Sequence, residues 1–413
     1  MQLLQYKLDI NAIVKNEFIK MHFQPVISVK KKNIVGYEAL CRGVDAETNG
    51  LIPPDTLFHL AKEQEITLEF DRLCRKKALE SYRRIYDQDN DAILFLNLDT
   101  SVINSGVVGS GHLLNAVRSF DIDPENVVIE IIESKITDIL ALKKFIETHK
   151  NYGFLIGLDD VGSGRSNLDR IPLVKPDVLK IDRSIINYID KMYHKQEVFK
   201  SLVNLSKKIG ALVVAEGIER EEEAAIVLEL GADMLQGFYF ARPQERIDDE
   251  IGSIKEKTES IAFKYKSYMV KKIKDAKSRH EAYKTIINNI ICVLAEISPA
   301  YYDDILQEMI KSHPVVECVY ILDEDGTQVT NTIFNRIEVL KNKKIFAPAR
   351  KGAEHTSKDY YYLIVNTGLD SFTTEPYISL ASGNLCLTIS SPFTGPAGGR
   401  FIICVDFRQV NLY

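Results

Sequence analysis

Paired cysteines, long apolar runs and an excess of positive charge are all missing from this chain of 413 residues. Its six cysteines (Cys41, Cys74, Cys292, Cys318, Cys386 and Cys404) are scattered, with no CxxC pair. That pattern argues against a disulfide framework and a cysteine zinc site, and suits thiols kept reduced in a cytosol. No run of about 18 apolar residues occurs, so no membrane-spanning helix is expected. The opening MQLLQYKLDINAIVKNEF has early charges and no long apolar centre, unlike a secretory leader, so the expected location is cytoplasmic. Lysine and arginine number 52 against 58 aspartates and glutamates, a net charge of −6. General DNA or RNA binding needs a basic surface and is not expected; a pocket for one small anionic ligand remains compatible. Tandem repeats and low-complexity tracts are absent. No GxGxxG follows the first strand-like run, which removes the main sign of a dinucleotide-binding fold. At 45% hydrophobic and 27% charged residues the chain reads as globular, and its length suits two or three domains.

What is present is an alternation. From residue 20 to about 245, short apolar runs read as strands: MHFQPVI (21–27), ILFLNL (93–98), VVIEII (127–132), FLIGLDD (154–160), VLKID (178–182), LVVAE (212–216) and LQGFYF (235–240). Between them lie stretches with apolar residues at helical spacing, such as 56–85, 198–210 and 221–231, the last two closed by a glycine. Parallel strands with helical crossovers follow, and the number of units favours a closed (β/α)8, TIM-like barrel over 1–246. Residues 247–283 are densely charged and nearly free of glycine and proline, and read as a linker helix. The remainder, 284–413, reads as an α+β domain. TIINNIICVLAEI (285–297) and DDILQEMIKS (303–312) look helical there. VVECVYILDEDGTQVTNTIF (315–334) looks like two strands about Asp325-Gly326. YYYLIVNTG (360–368), EPYISLASGNLCLTIS (375–390) and GGRFIICVDF (398–407) complete an antiparallel sheet.

The strand-like runs carry polar residues where a barrel core should be apolar. Glu38 lies in IVGYEAL, Asn97 in ILFLNL and Glu130 in VVIEII. Asp159 and Asp160 end FLIGLDD, Lys180 interrupts VLKID, Glu216 ends LVVAE, and Gln236 opens the last run. One such residue is usually a satisfied structural group, and Asp159 or Asp160 could simply cap a helix. So many near C-terminal strand ends fit a barrel active site. Five carboxylates and one carboxamide are hard donors, suited to Mg²⁺, Mn²⁺ or Ca²⁺, and no histidine or cysteine joins them to suggest zinc. Adjacent carboxylates repel unless cations neutralise them, so Asp159 is a candidate bridge between two metals. Two metals about 3.5–4 Å apart are the usual device for phosphodiester cleavage. Lys180 would place a positive charge near the attacking water or the phosphate. A Schiff-base role for Lys180 is disfavoured, because the carboxylates keep it charged.

GYEALCRG (36–43) carries Glu38-Ala39-Leu40 and resembles the signature of EAL domains, the cyclic-di-GMP phosphodiesterases. FQP (23–25), LNLD (96–99), IEIIES (129–134), LDDVGSG (158–164), KIDRS (180–184), AEGIE (215–219) and QGFYFARP (236–243) look like the rest of the family pattern, in order, over residues 10–246. The resemblance implies metal-dependent opening of cyclic di-GMP to linear pGpG. It implies one metal on Glu38, Asn97, Glu130 and Asp159, and a second on Asp159, Asp160 and Glu216. Magnesium or manganese would serve catalysis, and calcium would occupy or inhibit the site. Lys180 would orient or activate the water, with Glu216 beside it. Gln24, Leu40, Arg42 and Gln236 would contact the dinucleotide, supported by Asp182 and Pro243. Glu133 would anchor the loop after Asp160. The family's loop usually reads DDFGTGYSSL; here it is DDVGSGRSNL, with Val161 for Phe, Ser163 for Thr, Arg165 for Tyr and Asn167 for Ser. Cys41-Arg42-Gly43 stands where Leu-Arg-Trp is common. The expectation is a phosphodiesterase weakened by that loop; the alternative is a catalytically silent cyclic-di-GMP receptor. The C-terminal part resembles PAS-like or Cache-like sensor domains, implying a small ligand or protein partner and regulation of the barrel. A homodimer is implied by the family and the linker helix. No GGDEF stretch signals a matching cyclase.

Overall fold

In a computed structural model of the chain, residues 8–99, 103, 110–132, 138–164, 168–335, 345–396 and 398–409 are described. The chain divides into two compact units, Met1–Met269 and Val270–Tyr413.

The first unit is built on β1 (Ile19–Ser28), β2 (Asn33–Val44), β3 (Leu51–Ile52), β4 (Ile93–Leu98), β5 (Val127–Ile132), β6 (Leu155–Val161), β7 (Val178–Ile181), β8 (Leu212–Ala215) and β9 (Met234–Leu235). β2 and β4 through β9 pair in parallel, in chain order. β1 pairs with both β2 and β9 and closes an eight-stranded barrel, while β3 flanks β2 outside it. The barrel is therefore TIM-like, with one correction. β1 runs antiparallel to both neighbours. Only residues 29–32 separate β1 from β2, and a parallel connection needs a dozen or more.

The barrel interior shows why the polar residues sit where they do. Side chains alternate faces along a strand, so the residue two before an inward polar group also points inward. Phe95, Val128, Val178, Val214 and Met234 stand two before Asn97, Glu130, Lys180, Glu216 and Gln236, and Val26 stands two after Gln24 on the reversed β1. These six form one buried apolar cluster, a plug beneath the polar layer. On β6 the corresponding position is Gly157. A methyl there would come within 2.9 Å of Val128 Cγ1 and 3.5 Å of Glu130 Cγ, so the glycine makes room for both. The outward faces, including Leu94, Leu96, Ile129, Ile131, Ile156 and Leu158, pack under the surrounding helices.

The last barrel strand is shorter than the apolar run LQGFYF suggests, because the chain leaves the sheet after Leu235. Ile218 N donates to Gln236 O at 3.0 Å and Tyr239 N to Ile218 O at 2.9 Å. The two backbones approach so closely that a Cβ at Gly237 would lie 2.1 Å from Ile218 O. Gly237→Ala should lower stability by about 2–4 kcal/mol, read as an earlier thermal unfolding midpoint. An unchanged midpoint would mean that this backbone crossing is soft.

In the second unit the sheet order is β11-β10-β15-β14-β12, with β13 on β14, all antiparallel. The strands are β10 (Val316–Asp323), β11 (Ile333–Phe334), β12 (Phe372–Thr373), β13 (Tyr377–Ile378), β14 (Leu385–Thr394) and β15 (Arg400–Arg408). The unit is α+β, as expected, but three segments differ from the sequence reading. YYYLIVNTG is not a strand: Asp359–Thr367 is a helix that ends at Gly368, φ +68°. Tyr360, Tyr361 and Ile364 lie at helical spacing and bury against Tyr320, Leu322, Ile402 and Cys404, which overrides their strand propensity. EPYISLASGNLCLTIS is broken into β13 and β14 by a turn at 379–384 containing Gly383 at φ +75°. The helices expected at 247–283 and 285–297 are one helix, Ile251–Leu294. Ile254 and Ile261 join the core of the first unit, and Tyr283, Ile287, Ile290 and Leu294 that of the second.

Candidate active site

The polar layer converges on a single ammonium. Lys180, on the short buried strand β7, is 1% exposed. Its Nζ lies 2.6 Å from Glu130 Oε1, 2.6 Å from Glu216 Oε1, 3.2 Å from Glu38 Oε2 and 3.6 Å from Asp159 Oδ1. Burial alone would discharge a lysine; the four carboxylates outweigh it and raise its pKa well above normal. Burial, partly offset by Lys180, pushes Glu130 and Glu216 well above the usual carboxylate range and Asp159 upward.

Glu38 behaves differently because it is a hub. Asn97 Nδ2 donates to its Oε1 at 2.9 Å, and Gln236 Nε2 donates to its Oε2 at 2.6 Å. Burial pushes Glu38 up, but Lys180 and these donors prevail and hold its pKa below normal. Gln236 Nε2 also donates to Gln24 Oε1 at 3.2 Å, and Gln24 Nε2 donates to Ala241 O at 3.2 Å. The β1–β2 register sets Gln24 opposite Glu38.

Asp159 and Asp160 answer the like-charge problem by backbone geometry. Asp160 is left-handed, φ +58°, and its N–H donates to Asp159 Oδ1 at 2.9 Å. Asp159, Asp160 and Glu216 each offer an oxygen, all within 4.8 Å of one another.

The donor set fits hard divalent cations. When fully ionised, five carboxylates against one ammonium carry four net negative charges, which two divalent ions balance. Among the described residues, Glu130 Oε2 is buried with no hydrogen-bond partner, and Oε1 has only the ion-pair contact with Lys180. A buried carboxylate with free lone pairs aimed into an oxygen cage is a natural cation ligand.

Other expected residues lie farther from this cage's chemistry. Leu40 and Arg42 are half-buried on β2 beyond Glu38, and Arg42 Nη1 donates to Cys41 O at 2.8 Å. Asp182 caps the turn 183–186, its Oδ1 accepting from Ser184 N at 2.9 Å. Pro243 precedes Gln244, whose backbone bridges to Phe23. Glu133, Arg165 and Asn167 lie outside the described residues.

One pair escaped the sequence reading. Asp71 and Arg75, one turn apart on the helix Thr67–Tyr86, form a buried ion pair. Asp71 Oδ1 accepts from Asp99 N at 3.1 Å, fixing the chain just past Asn97. Burial, eased by Arg75, raises Asp71 to about 6. The available signal was two charges among the apolar positions Phe70, Leu73, Cys74 and Ala78 of that helix.

Residues 9–243 match the model of the EAL domain family, more than half of the chain. The chain is an EAL-domain protein. Across 404 residues it is 24% identical to the uncharacterized EAL-domain containing protein YkuI of Bacillus subtilis, covering 95% of both chains. It is 28% identical over 232 residues to the cyclic di-GMP phosphodiesterase PdeA of Borreliella burgdorferi, a match to 56% of this chain and 34% of that protein. Among solved structures, Bacillus subtilis YkuI with cyclic di-GMP and calcium superposes over 98% of this chain and 100% of its own, with a TM-score of 0.81 at 23% identity, a likeness of fold. The PaMucR phosphodiesterase bound to cyclic di-GMP matches 57% of this chain and 96% of its own, with a TM-score of 0.53 at 26% identity. No described helix of this EAL-domain protein is long and apolar enough to cross a membrane.

Proposed function

We propose that this EAL-domain protein hydrolyses cyclic di-GMP to linear pGpG with the help of divalent cations. The observation that carries the reading is the oxygen cage: Glu38, Glu130, Asp159 and Glu216 around Lys180, with Asn97 on Glu38 and Asp160 beside Asp159 and Glu216. In this reading Glu38, Asn97, Glu130 and Asp159 hold one cation, and Asp159, Asp160 and Glu216 hold the second. Bound there, such ions polarise a phosphodiester oxygen and acidify water. Lys180, permanently charged, orients the attacking water and damps the charge gathering on the phosphate. Gln236 and Gln24 lock Glu38 on one side while contacting the nucleotide on the other. Leu40 and Arg42 line the same wall, Arg42 against a phosphate. Asp182 and Pro243 support the loops that carry these groups; Glu133, expected to anchor the loop after Asp160, lies outside the described residues.

The second reading is a receptor that binds cyclic di-GMP without turnover. Val161, standing where the family has Phe, favours it. Against it, Asp160 already shares the cluster with Asp159 and Glu216 despite that change. The domain reading is a barrel at 1–246, a linker helix at 247–283, and a PAS-like or Cache-like sensor at 284–413 that regulates the barrel in a cytoplasmic homodimer.

The deciding experiment follows cyclic di-GMP and pGpG by chromatography with purified chain. Release of pGpG in Mg²⁺ or Mn²⁺, its loss in EDTA and its return on adding Mn²⁺ are expected, with Ca²⁺ occupying the site unproductively. Tight nucleotide binding without product in either metal would establish the receptor instead.

A further inference from the structure

The second unit holds a cavity of about 540 Å³ between its sheet and the segment 347–381. That volume suits a small metabolite. Asp406 of β15 reaches into it and is 2% exposed. Thr388 Oγ1 and Ser379 Oγ donate to its two oxygens at 2.8 and 3.1 Å. These hydroxyls orient the carboxylate but bring no charge. Among the described residues no lysine or arginine pairs with it. Arg408, two positions along the strand, lies 3.9 Å from Glu317 instead. Burial, opposed by these hydroxyls and by the Cys318 thiol, raises Asp406 to about 6, and among the described residues the carboxylate has no counter-ion.

The walls are aromatic. Tyr320, Tyr360 and Tyr377 line the cavity. Tyr320 and Tyr360 meet edge to face with centroids 6.2 Å apart, and Tyr377 Oη bonds Thr388 Oγ1 at 2.7 Å, tying this wall to the floor. His355 supplies no balancing charge. Its Nε2 faces Gln328 Oε1 at 3.0 Å and its Nδ1 faces Tyr360 Oη at 2.9 Å, a pairing that suits the neutral ring. Burial and nearby Lys358 both lower its pKa. Among the described residues that line it, Glu354, Asp359 and Glu375 outnumber Lys358.

We propose that this cavity binds a small organic cation, an amine or quaternary ammonium of metabolite size, with its nitrogen on Asp406 and its hydrocarbon against the three tyrosines. A buried carboxylate gives a charge-assisted contact, and aromatic faces attract a desolvated cation. An anion would meet the floor and the rim with the wrong sign, and a neutral ligand would leave Asp406 uncompensated. The inference deepens the reading of this unit as a sensor and does not depend on the chemistry of the barrel.

Calorimetric titration of the full chain tests it, using 1,4-diaminobutane, agmatine and choline against the neutral isosteres 1,4-butanediol and 3,3-dimethyl-1-butanol. Saturable one-to-one binding of at least one cation is expected, about tenfold or more tighter than its isostere. Asp406→Asn should weaken it about tenfold in a chain whose fold is verified by circular dichroism. If that variant fails to fold, Glu375→Gln on the exposed rim should weaken the cation about two- to threefold and leave the isostere unchanged. No cation binding up to about 10 mM, or equal binding of cations and isosteres, overturns the proposal. Cation binding that leaves cyclic di-GMP hydrolysis unchanged supports the site and removes only the sensor reading. Cation binding in a chain that never releases pGpG also supports it, while refuting the phosphodiesterase.

Discussion

Glu38→Ala should reduce pGpG formation by about 10³-fold or more while leaving measurable cyclic di-GMP binding. Glu38 is the one carboxylate that receives Asn97, Gln236 and Lys180 together. Removing it takes away a cation ligand and frees two amides and an ammonium that it holds in place. Binding should survive in part because Gln24, Leu40 and Arg42 are not held by Glu38 alone. Glu38→Gln separates charge from shape: it keeps most of the volume but loses the negative charge, and should be nearly as inactive. Substantial turnover in either variant would dismiss the assignment of the cage as a cation site.

Lys180→Met should show its largest effect on stability rather than on rate alone. The ammonium is the only cation touching Glu38, Glu130, Asp159 and Glu216 among the described residues. Breaking a buried ion cluster by removing one sign costs about 3–5 kcal/mol, because the remaining charges stay buried and unpaired. For a unit of this size that is on the order of 10 °C in the unfolding midpoint, measured in EDTA. Divalent cations bind the folded form and should recover much of the loss, and the rescue should grow with metal concentration. Turnover should stay low even in metal, since the positive charge beside the water is gone. A midpoint insensitive both to the substitution and to metal would mean that the cluster is not under electrostatic strain.

Much of this site is legible without coordinates, for a specific reason. A barrel strand packs helices on its outer face and other strand residues inside, so polar residues on it stand out. Glu38, Asn97, Glu130, Asp159, Lys180 and Gln236 were all visible that way, and the structure brings them together. Asp71 and Arg75 were less visible, since a charged pair on a long amphipathic helix usually faces solvent; only their burial separates them from the exposed pairs nearby. The direction of β1 was available in the short connection 29–32, but the rhythm of later strands suggested a parallel start. YYYLIVNTG misleads because aromatic and β-branched residues suit a strand locally, whereas the contacts that make it a helix come from β10 and β15.

The order of the chain determined by itself the (β/α) alternation, the EAL signature and the chemistry of the donor set, because these depend on residue type and spacing along one strand or helix. Tertiary structure alone decided which oxygens meet, that Lys180 would sit among four carboxylates, that Gly237 must lack a side chain, and that Asp406 would face an aromatic cavity with no counter-ion among the described residues. Those are relations between strands distant in sequence, set by barrel closure and sheet register, and local composition does not encode the distances across them.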